Sequence, residues 1–522
     1  MMGEFTTVIP LPIALLCAAL LTWAIANRHL NVYPPGPRGL PFVGAAFSLP
    51  KEKEWVTYDE WKEKYGPIVG IRAFGNKLVI LNTADLSNRL LNKRSRIYSQ
   101  RGPTPMLEMM GFDWNIGLMP VGQRLTLARQ VLLRGLSAQN VIGYRAYQEK
   151  YVRMLLGNLI ESPANFARHL RRFNVSMTLE LFFGLETKER LHDHDEFVTL
   201  NETIMDLTSR AGSPSAYIVN TFPSFKYWPA SFPGGGFHGE SKRARELVDK
   251  LMEMTLEFQK KLVKNQVPGV YLPTQLAGDI QEKETATAVS DAAATTYAGE
   301  TINILADNKQ NVMYPAGIET TTSTLLSFVL AMVLYPDIQR NAQATIDQAI
   351  HNRTPTLADR DEGRLPIIDA IIKECLRWAP PGAFGLPHLA REDDSVDGYT
   401  IPKGTIVLSN VWSILHEEKT YSQPMEFRPQ RFMGKNKEPD PADHAFGYGK
   451  RICPGRHLAE SSLWLVIASI LATFEISPAV DDSGRPIIPK MDFTSGVMRH
   501  PVTFPCIIKP RSRAAEPGAK AK

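Results

Sequence analysis

The sequence has little cysteine and little excess charge. Its four cysteines, Cys17, Cys375, Cys453 and Cys506, are too few and too scattered for a disulfide framework or a cysteine-rich zinc site. A net charge of +5, from 59 basic and 54 acidic residues, is too weak over 522 residues to indicate a nucleic-acid-binding protein. We therefore expect a reducing compartment and no nucleic-acid partner, although a lone cysteine can still be a nucleophile or a metal ligand.

Internal repeats and a dinucleotide-binding fingerprint are also missing. Gly447-x-Gly449 lacks the third glycine and the preceding strand that such a fingerprint requires. The chain therefore shows no nicotinamide or flavin site of its own. The composition, with 44% hydrophobic and 22% charged residues, excludes a disordered chain, a collagen-like fibre and a polytopic membrane protein, and it supplies enough apolar material for a large core.

One uncharged apolar stretch, Val8–Ala26, lies near the start of the sequence. At a rise of about 1.5 Å per residue it covers about 28 Å, close to the hydrocarbon thickness of a bilayer. A cleaved signal peptide is the alternative, but the preceding segment carries Glu4 and no basic residue. Arg28 and Arg38 follow the stretch, which favours a cytosolic position for the rest of the chain. We expect an uncleaved single-pass anchor in residues 1–30, with residues 8–26 in the lipid bilayer.

A Pro/Gly-rich spacer follows the anchor in residues 31–44. Four prolines and two glycines lie within Tyr33–Pro41, a composition that cannot continue a helix and predicts a stiff hinge. The last stretch, residues 511–522, is polar and rich in Ala and Lys, which predicts a disordered tail. The body of the chain would then occupy residues 45–510 as one domain.

Helical periodicity dominates this body from about Trp55 onward. The clearest helical stretches are Val141–Glu161, Ser241–Val263, Ser323–Tyr335 and Ile368–Trp378. Short strand-like runs occur at Ile68–Ile71, Leu78–Leu81 and Ile406–Leu408. The pattern predicts a mainly helical fold with small β-sheets.

The strongest chemical signal is the loop from Phe446 to Gly455, which reads FGYGKRICPG. Gly447 and Gly449 permit a tight hairpin, and Cys453 precedes a Pro-Gly step and an apolar run typical of a buried helix. A cysteine just before a helix start meets backbone N–H groups and the positive end of the helix dipole, which stabilise a thiolate. A thiolate held by backbone hydrogen bonds suits the axial position of a haem iron. A buried structural thiol is the alternative.

This loop resembles the haem-binding loop of the cytochrome P450 monooxygenases. It matches their pattern F-x-x-G-x-R-x-C-x-G at Phe446, Gly449, Arg451, Cys453 and Gly455. The resemblance extends over essentially the whole chain after the anchor. It implies the family's mainly α fold with small sheets, and a haem b cofactor bound by this loop with the cysteine thiolate as the axial ligand of the iron.

Two further motifs follow the family's order. Glu374 and Arg377 match its E-x-x-R helix, and Arg431 lies in a segment that resembles its P-E-R-F motif, with Gln430 in place of the usual glutamate. The resemblance implies a buried charge triad of Glu374, Arg377 and Arg431 behind the cysteine loop. A carboxylate between two guanidiniums would satisfy the hydrogen-bonding groups of both.

The resemblance also implies cationic or donor groups for the two haem propionates. Arg451 is the first of them, and His388 and Arg129 match two further positions, although a lone histidine can also be purely structural. Arg129 corresponds to the arginine of the family's W-x-x-x-R helix, but Leu125 replaces the tryptophan. Because leucine packs but donates no hydrogen bond, one propionate contact is then missing or comes from another residue.

The segment Ala316–Thr321, which reads AGIETT, resembles the oxygen-activation motif of the family's central helix. In that interpretation Gly317 leaves room at the iron, and Glu319 and Thr320 form an acid–alcohol pair that relays protons. Such relays typically contribute ~10²–10⁴-fold to the rate. The alternative is an ordinary threonine-rich stretch of helix.

One segment departs from the family's pattern. Gly299–Pro315 interrupts the central helix expected through residues 290–335, and a proline inside a helix costs ~3 kcal/mol. Removing the segment joins Ala298 to Ala316 in an uninterrupted helical stretch. Our hypothesis is a retained intron. The alternative is a genuine inserted loop, after which a helix can restart at Pro315. Sequencing the mature transcript decides between them, because a segment present in every message refutes the intron.

The resemblance implies a haem-thiolate monooxygenase that inserts one atom of dioxygen into a lipophilic organic substrate. Electrons would come from an NADPH-dependent flavoprotein reductase, and the enzyme would lie at the endoplasmic reticulum membrane with its catalytic domain facing the cytosol. The aromatic and glycine-rich run at Phe222–Phe237 is similar to fungal members, which suggests secondary metabolism or xenobiotic oxidation. The regions to which the family assigns substrate specificity are Gly102–Leu118, Phe222–Phe237, Phe384–Leu386 and Ser495–Val497.

Two other functions stay open at this point. One is an isomerase or dehydratase of the same fold that acts on a peroxide without a reductase. The other is a non-catalytic haem-binding remnant that residues 299–315 have disabled. NADPH dependence of turnover separates the first from a monooxygenase, and the absorption spectrum of the reduced, carbon-monoxide-bound protein separates the second.

Overall fold

The computed structural model describes residues 33–511, except for 113–114, 184–198, 201–202, 205–206, 209–210, 213–216, 266–313 and 352. Within these residues the chain is mainly helical with small β-sheets, as predicted, and divides into two compact units. The first contains the residues up to Gly102 together with Pro387–Asn410, and the second contains Pro103–Leu386 and the residues from Val411 onward. The predicted anchor, the tail beyond Arg511 and most of the insert at 299–315 lie outside the described residues.

The first unit is built on a four-stranded sheet with the order β1-β2-β6-β3. Strands β1 and β2 form an antiparallel hairpin, β6 pairs with β2 in parallel, and β3 pairs with β6 antiparallel. The three strand-like runs in the sequence are confirmed as parts of β1, β2 and β6. The strands are β1 Ile68–Ala73, β2 Asn76–Leu81, β3 His388–Leu389, β4 Asp394–Val396, β5 Tyr399–Ile401 and β6 Ile406–Ser409, and the helices are α1 Glu54–Tyr65, α2 Ala84–Ser87 and α3 Ser95–Tyr98.

The Pro/Gly-rich spacer packs directly on this sheet. The Gly70 N–H donates to the Pro35 carbonyl at 2.8 Å, and the Tyr33 hydroxyl donates to the Leu78 carbonyl at 3.1 Å. The approach is so close that a Cβ at Gly36 would lie 1.9 Å from the Gly70 carbonyl oxygen. The contact therefore requires glycine at position 36, because no side-chain carbon fits against a backbone oxygen at that distance.

We expect Gly36→Ala to detach the spacer from the sheet and to lower the free energy of unfolding by ~1–3 kcal/mol, as overpacked sites do. Gly157→Ala is the matched control, because Gly157 is exposed on the helix Arg145–Glu161 and a Cβ there would meet nothing within 4 Å. That control should be neutral or stabilising by up to ~1 kcal/mol. Urea unfolding and proteolysis of the spacer measure both variants, and equal stability of the two would contradict the prediction.

The second unit contains most of the helices. The hydrophobic faces of several of these helices meet in one large cluster that includes Leu155, Phe173, Val329, Ile371 and Trp464. The helices are α4 Pro105–Met109, α5 Gln123–Gly135, α6 Ala138–Val141, α7 Arg145–Glu161, α8 Phe166–Phe183, α9 Ile218–Thr221, α10 Phe237–Asn265, α11 Tyr314–Leu334, α12 Pro336–Ile350, α13 Leu357–Asp361, α14 Pro366–Trp378, α15 Val411–Leu415, α16 Ala442–Ala445 and α17 Arg456–Thr473.

Helix α11 runs through the middle of this cluster. Its segment Gly317–Leu334 is long and apolar enough to cross a membrane, but 83% of that segment is buried against the rest of the protein, as in the core helix of a globular domain. The helix begins at Tyr314, so Pro315 lies in the first turn, where a missing N–H costs little. This agrees with the predicted restart of the helix at Pro315.

The sequence patterns missed the two-stranded sheet of β4 and β5, a three-stranded sheet in the second unit, and a break in one helix. Strands β7 Phe474–Val480, β8 Pro486–Ile487 and β9 Cys506–Pro510 form an antiparallel sheet with the order β8-β7-β9. The stretch predicted as a helix over Val141–Glu161 changes to a 3₁₀ turn at Ile142–Tyr144 before α7 begins.

Candidate active site

The cysteine loop is a closed hairpin that ends at the start of α17. The Cys453 N–H donates to the Phe446 carbonyl at 2.8 Å, which closes the loop. Gly447 and Gly449 have φ angles of 80° and 49°, in the left-handed region where glycine avoids a steric cost. The loop therefore presents the Cys453 side chain one turn before the first residue of α17, Arg456.

The Cys453 side chain is accessible to solvent. The protein atoms around its sulfur nevertheless exclude much of the water that would stabilise a thiolate. Desolvation raises the pKa of the Cys453 thiol, while a hydrogen bond from the Gly455 N–H and the charge of Arg129 lower it. The raising effect is the larger. In the protein alone the thiol is therefore not strongly activated, and a bound cation such as a metal would complete the stabilisation of the thiolate.

Two guanidiniums lie close to the cysteine loop. Arg129, on α5, donates from Nη2 to the Ile452 carbonyl at 2.7 Å, and Arg451 donates from Nη2 to the Met119 carbonyl at 2.7 Å. Burial and the positive charge of Arg129 lower the pKa of Arg451 to about 10. Arg451 is buried and Arg129 is half-buried, and two such cations that repel each other favour an anionic ligand between or beside them, since an anion would relieve the repulsion.

Helix α11 presents Gly317 and Thr320 on one accessible face. A Cβ at Gly317 would meet nothing within 4 Å, and Gly317 is exposed, so open space adjoins the helix there. Thr320 lies three residues later and is half-buried. Residues three apart on a helix share a face, so Thr320 borders the same space.

Glu319 belongs to a different face of α11 and is buried, with 8% of its surface exposed. Its Oε1 lies 3.4 Å from Nε of Arg171 on α8, and its Oε2 lies 3.3 Å from Nε2 of His500. No sequence motif indicated these two partners, because each is distant along the chain and neither belongs to a motif.

His500 makes the stability of this region sensitive to acid. Burial and the nearby Arg171 charge lower the pKa of His500 to about 4, whereas an unfolded histidine titrates near ~6.5. Below pH ~6.5 the unfolded chain binds a proton at His500 that the folded protein does not bind. The contribution of His500 to stability is therefore complete above pH ~6.5 and falls as the pH drops toward 4.

We expect His500→Gln, which keeps an N–H donor but cannot titrate, to remove this acid sensitivity. The parent should lose on the order of 2 kcal/mol more than the variant between pH 7.5 and 4.5. Thermal unfolding followed at both pH values measures the difference. A variant that loses stability in parallel with the parent would show that His500 takes up its proton at the same pH in the folded protein as in the unfolded chain.

The predicted charge triad is assembled and fully buried. Arg377 donates to both carboxylate oxygens of Glu374, at 2.8 and 2.9 Å, and Nε of Arg431 lies 3.2 Å from Glu374 Oε2. The Arg428 N–H adds a further hydrogen bond to Glu374 at 2.6 Å. A fourth charged residue, which the sequence patterns missed, is Glu438, whose carboxylate accepts from Arg431 at 2.7 Å.

His388, the third predicted propionate partner, lies in the first unit on β3. It is buried, and its Nδ1 lies 2.7 Å from the Tyr98 carbonyl, so the Nδ1–H tautomer donates there and the Nε2 atom is left as the acceptor. A propionate would need a donor, so His388 would serve one only when protonated. Its role stays a prediction.

Comparison with known proteins identifies the family. The family model for cytochrome P450 matches residues 34–506. The chain is 38% identical over 517 residues to cytochrome P450 monooxygenase COX2 of Coprinopsis cinerea, an alignment that covers 96% of this chain and 94% of that protein. The chain belongs to the cytochrome P450 family.

Other relatives of this cytochrome P450 are also fungal monooxygenases. Cytochrome P450 monooxygenase 208 of Postia placenta is 37% identical over 518 residues, with 96% of this chain and 95% of that protein aligned. Tryptamine 4-monooxygenase of Psilocybe cyanescens is 33% identical over 515 residues, with 97% and 98% aligned. The family makes this chain an oxidoreductase of the haem-thiolate class that works with a redox partner, a small substrate and dioxygen.

The residues of the second unit of this P450 fit a haem-thiolate cofactor. The donor set consists of one accessible cysteine sulfur, the Arg129 guanidinium whose charge acts on that sulfur, and the Arg451 guanidinium beside Arg129, which suits an iron porphyrin with anionic propionates. Leu125, which stands where the family usually has tryptophan, is buried on α5 and therefore packs without donating a hydrogen bond. Sequence motifs found the cysteine, the arginines and the triad, but they missed Arg171 and His500.

Proposed function

We propose that this cytochrome P450 is a membrane-anchored haem b monooxygenase that inserts one atom of dioxygen into a lipophilic substrate. The observation that carries the proposal is the accessible sulfur of Cys453 in a loop closed by the Phe446 carbonyl, beside the half-buried Arg129 and the buried Arg451. In the bound state, the haem would supply the chemistry that activates dioxygen.

The protein's own groups would then divide the remaining tasks. Cys453 would be the axial ligand, and Arg451 and Arg129, with His388 when protonated, would hold the propionates. Gly317 would leave room beside α11, and Thr320 and Glu319 would pass protons from the protein interior toward that space. Such proton relays work only when the donor and acceptor atoms are within hydrogen-bond reach or are linked by a water.

An apolar cluster beside the acid–alcohol pair supports a lipophilic substrate. Ile318, between Gly317 and Glu319, is buried in a cluster with Met106, Met110 and Phe112 from the segment around α4. The same cluster includes residues of α10. Because apolar surface binds apolar ligands by removing both from water, a substrate that reaches this region is expected to be largely apolar.

We further propose an NADPH-dependent flavoprotein reductase as the electron donor and the endoplasmic reticulum membrane as the location. The absence of a dinucleotide fingerprint in the sequence supports an external reductase. The uncharged stretch Val8–Ala26, followed by Arg28 and Arg38, supports a single-pass anchor with the catalytic domain in the cytosol.

Reconstitution tests this proposal. The full chain, and a variant without residues 299–315, are expressed with an NADPH-dependent cytochrome P450 reductase and supplied with lipophilic compounds and ¹⁸O₂. We expect a red-shifted band in the reduced, carbon-monoxide-bound protein and NADPH-dependent incorporation of one ¹⁸O atom. Conversion of a hydroperoxide without NADPH would indicate an isomerase or dehydratase instead. No such band in the full chain, with a band in the shortened variant, would indicate a protein disabled by the insert.

A further inference from the structure

Glu319 is held between groups from two other parts of the second unit. Arg171 comes from α8 and approaches Oε1, while His500 comes from the segment before β9 and approaches Oε2, at 3.4 and 3.3 Å. Each carboxylate oxygen therefore has its own partner. The carboxylate itself is 10% exposed, compared with 31% for Arg171 and 22% for His500, so the partners lie between it and the solvent.

Contacts one turn further along α11 fix both partner segments in place. Asn174 on α8 donates to Thr322 at 2.9 Å, and the Ser323 hydroxyl donates to the Arg499 carbonyl at 2.6 Å. Thr322 and Ser323 lie three and four residues after Glu319 and therefore share its face of the helix. The positions of the two partners thus follow from the packing of α8 and of the Arg499–His500 segment on α11.

The hydrogen-bonding pattern of His500 assigns it a donor role. Its Nδ1 is buried and has no hydrogen-bond partner among the residues that the structure describes. A neutral imidazole carries its proton on one nitrogen, and the proton on Nε2 can be shared with the carboxylate, whereas a proton on Nδ1 would be unused. The geometry therefore favours the Nε2–H tautomer, whose N–H faces the Glu319 carboxylate at 3.3 Å.

We propose that Arg171 and His500 are positioning residues that hold the carboxylate of Glu319 in a single orientation for proton delivery through Thr320. The inference rests on the proposed monooxygenase function and extends it to two residues that no family motif marks. Arg171 supplies the opposite charge that favours the ionised carboxylate. His500 supplies a directional N–H that fixes which oxygen points away from Arg171.

Loss of this orientation has a chemical consequence that can be measured. If proton delivery is impaired, the two electrons from NADPH would reduce dioxygen only to peroxide: NADPH, H⁺ and O₂ give NADP⁺ and H₂O₂. If proton delivery is intact, the same electrons would support oxygenation: substrate, NADPH, H⁺ and O₂ give oxygenated product, NADP⁺ and H₂O. The yield of H₂O₂ per NADPH consumed therefore reports on proton delivery rather than on the amount of folded enzyme.

The test uses the full-length haem-loaded enzyme with its reductase and 7-ethoxycoumarin as a lipophilic probe. Arg171→Leu and His500→Phe should each raise the H₂O₂ yield per NADPH several-fold, and Arg171→Lys and His500→Gln should restore most of the parent ratio. Because the ratio cannot exceed one H₂O₂ per NADPH, the comparison uses a probe that the parent enzyme oxidises. Arg153→Leu is the matched control, because Arg153 is an exposed arginine on α7, and it should leave the ratio unchanged.

A second readout does not depend on turnover. Two double-mutant cycles combine Glu319→Gln with each partner variant in turn, and the melting temperature is measured for every single and double variant. We expect non-additivity of at least ~1 °C in both cycles. Where Arg171→Leu does not fold, Arg171→Gln replaces it.

Parent-like peroxide ratios in the partner variants, or additive melting temperatures, would overturn the positioning role. A parent enzyme without the red-shifted carbon-monoxide band would instead overturn the proposed function. The two failures are therefore distinguishable.

Discussion

Cys453→Ala will abolish the red-shifted band of the reduced, carbon-monoxide-bound protein and reduce oxygenation to background, while leaving the fold intact. The band requires a thiolate on the iron, and alanine offers no ligand atom. The fold should survive because the loop is closed by a backbone hydrogen bond, from the Cys453 N–H to the Phe446 carbonyl, that alanine retains. The cysteine side chain is exposed, so its removal leaves no buried cavity.

Cys375→Ala is the matched control for this prediction. Cys375 is completely buried on α14, and burial raises the pKa of its thiol well above the ordinary value. A buried neutral thiol is a packing element, so its loss should cost on the order of 1 kcal/mol and leave the band unchanged. Absorption spectra and urea unfolding of both variants measure the contrast. A band that persists in Cys453→Ala would refute the ligand assignment.

The sequence could predict the cysteine loop because its determinants are local. Gly447 and Gly449 adopt the left-handed φ angles that their residue type permits, and the Pro-Gly step leads directly into α17. The order of motifs likewise predicted the triad, in which the structure brings the guanidiniums of Arg377 and Arg431 within 3.3 Å of the Glu374 carboxylate. In both cases short motifs of neighbouring residues, in a fixed order along the chain, were enough to predict the structure.

The parts that escaped prediction depend on distant pairing. Strand β9 joins β7 through backbone hydrogen bonds such as the pairing of Ile476 with Ile508, and neither short run has a pattern that specifies its partner. The partners of Glu319 are another case, because a charged residue on α8 and a histidine before β9 become neighbours only when the helices pack. The helix break at Ile142–Tyr144 also escaped prediction, because the helical spacing of hydrophobic residues continues across it.

Glu374→Ala is expected to have the largest effect on stability. Glu374 is fully buried and accepts hydrogen bonds from Arg377, Arg431 and the Arg428 N–H. Alanine would leave two guanidiniums in the core without their shared carboxylate, at a cost of ~3–5 kcal/mol. Because a domain is stable by only ~5–15 kcal/mol, we expect little folded, haem-containing protein at 37 °C.

Glu438→Ala is the control for Glu374→Ala, because it also removes a carboxylate partner of an arginine but leaves the buried Glu374 in place. Glu438 is a partner of Arg431 but is partly exposed, at 21%, so water can replace it. Its removal should cost ~1 kcal/mol or less, as for other solvent-accessible ion pairs. Soluble yield at 37 °C, urea unfolding and the carbon-monoxide spectrum measure both variants. If Glu374→Ala proved as stable as Glu438→Ala, the buried guanidiniums would have found other acceptors, most directly the carbonyls of Leu415 and Glu426 that Arg377 already contacts. The triad would then not be what holds this region together.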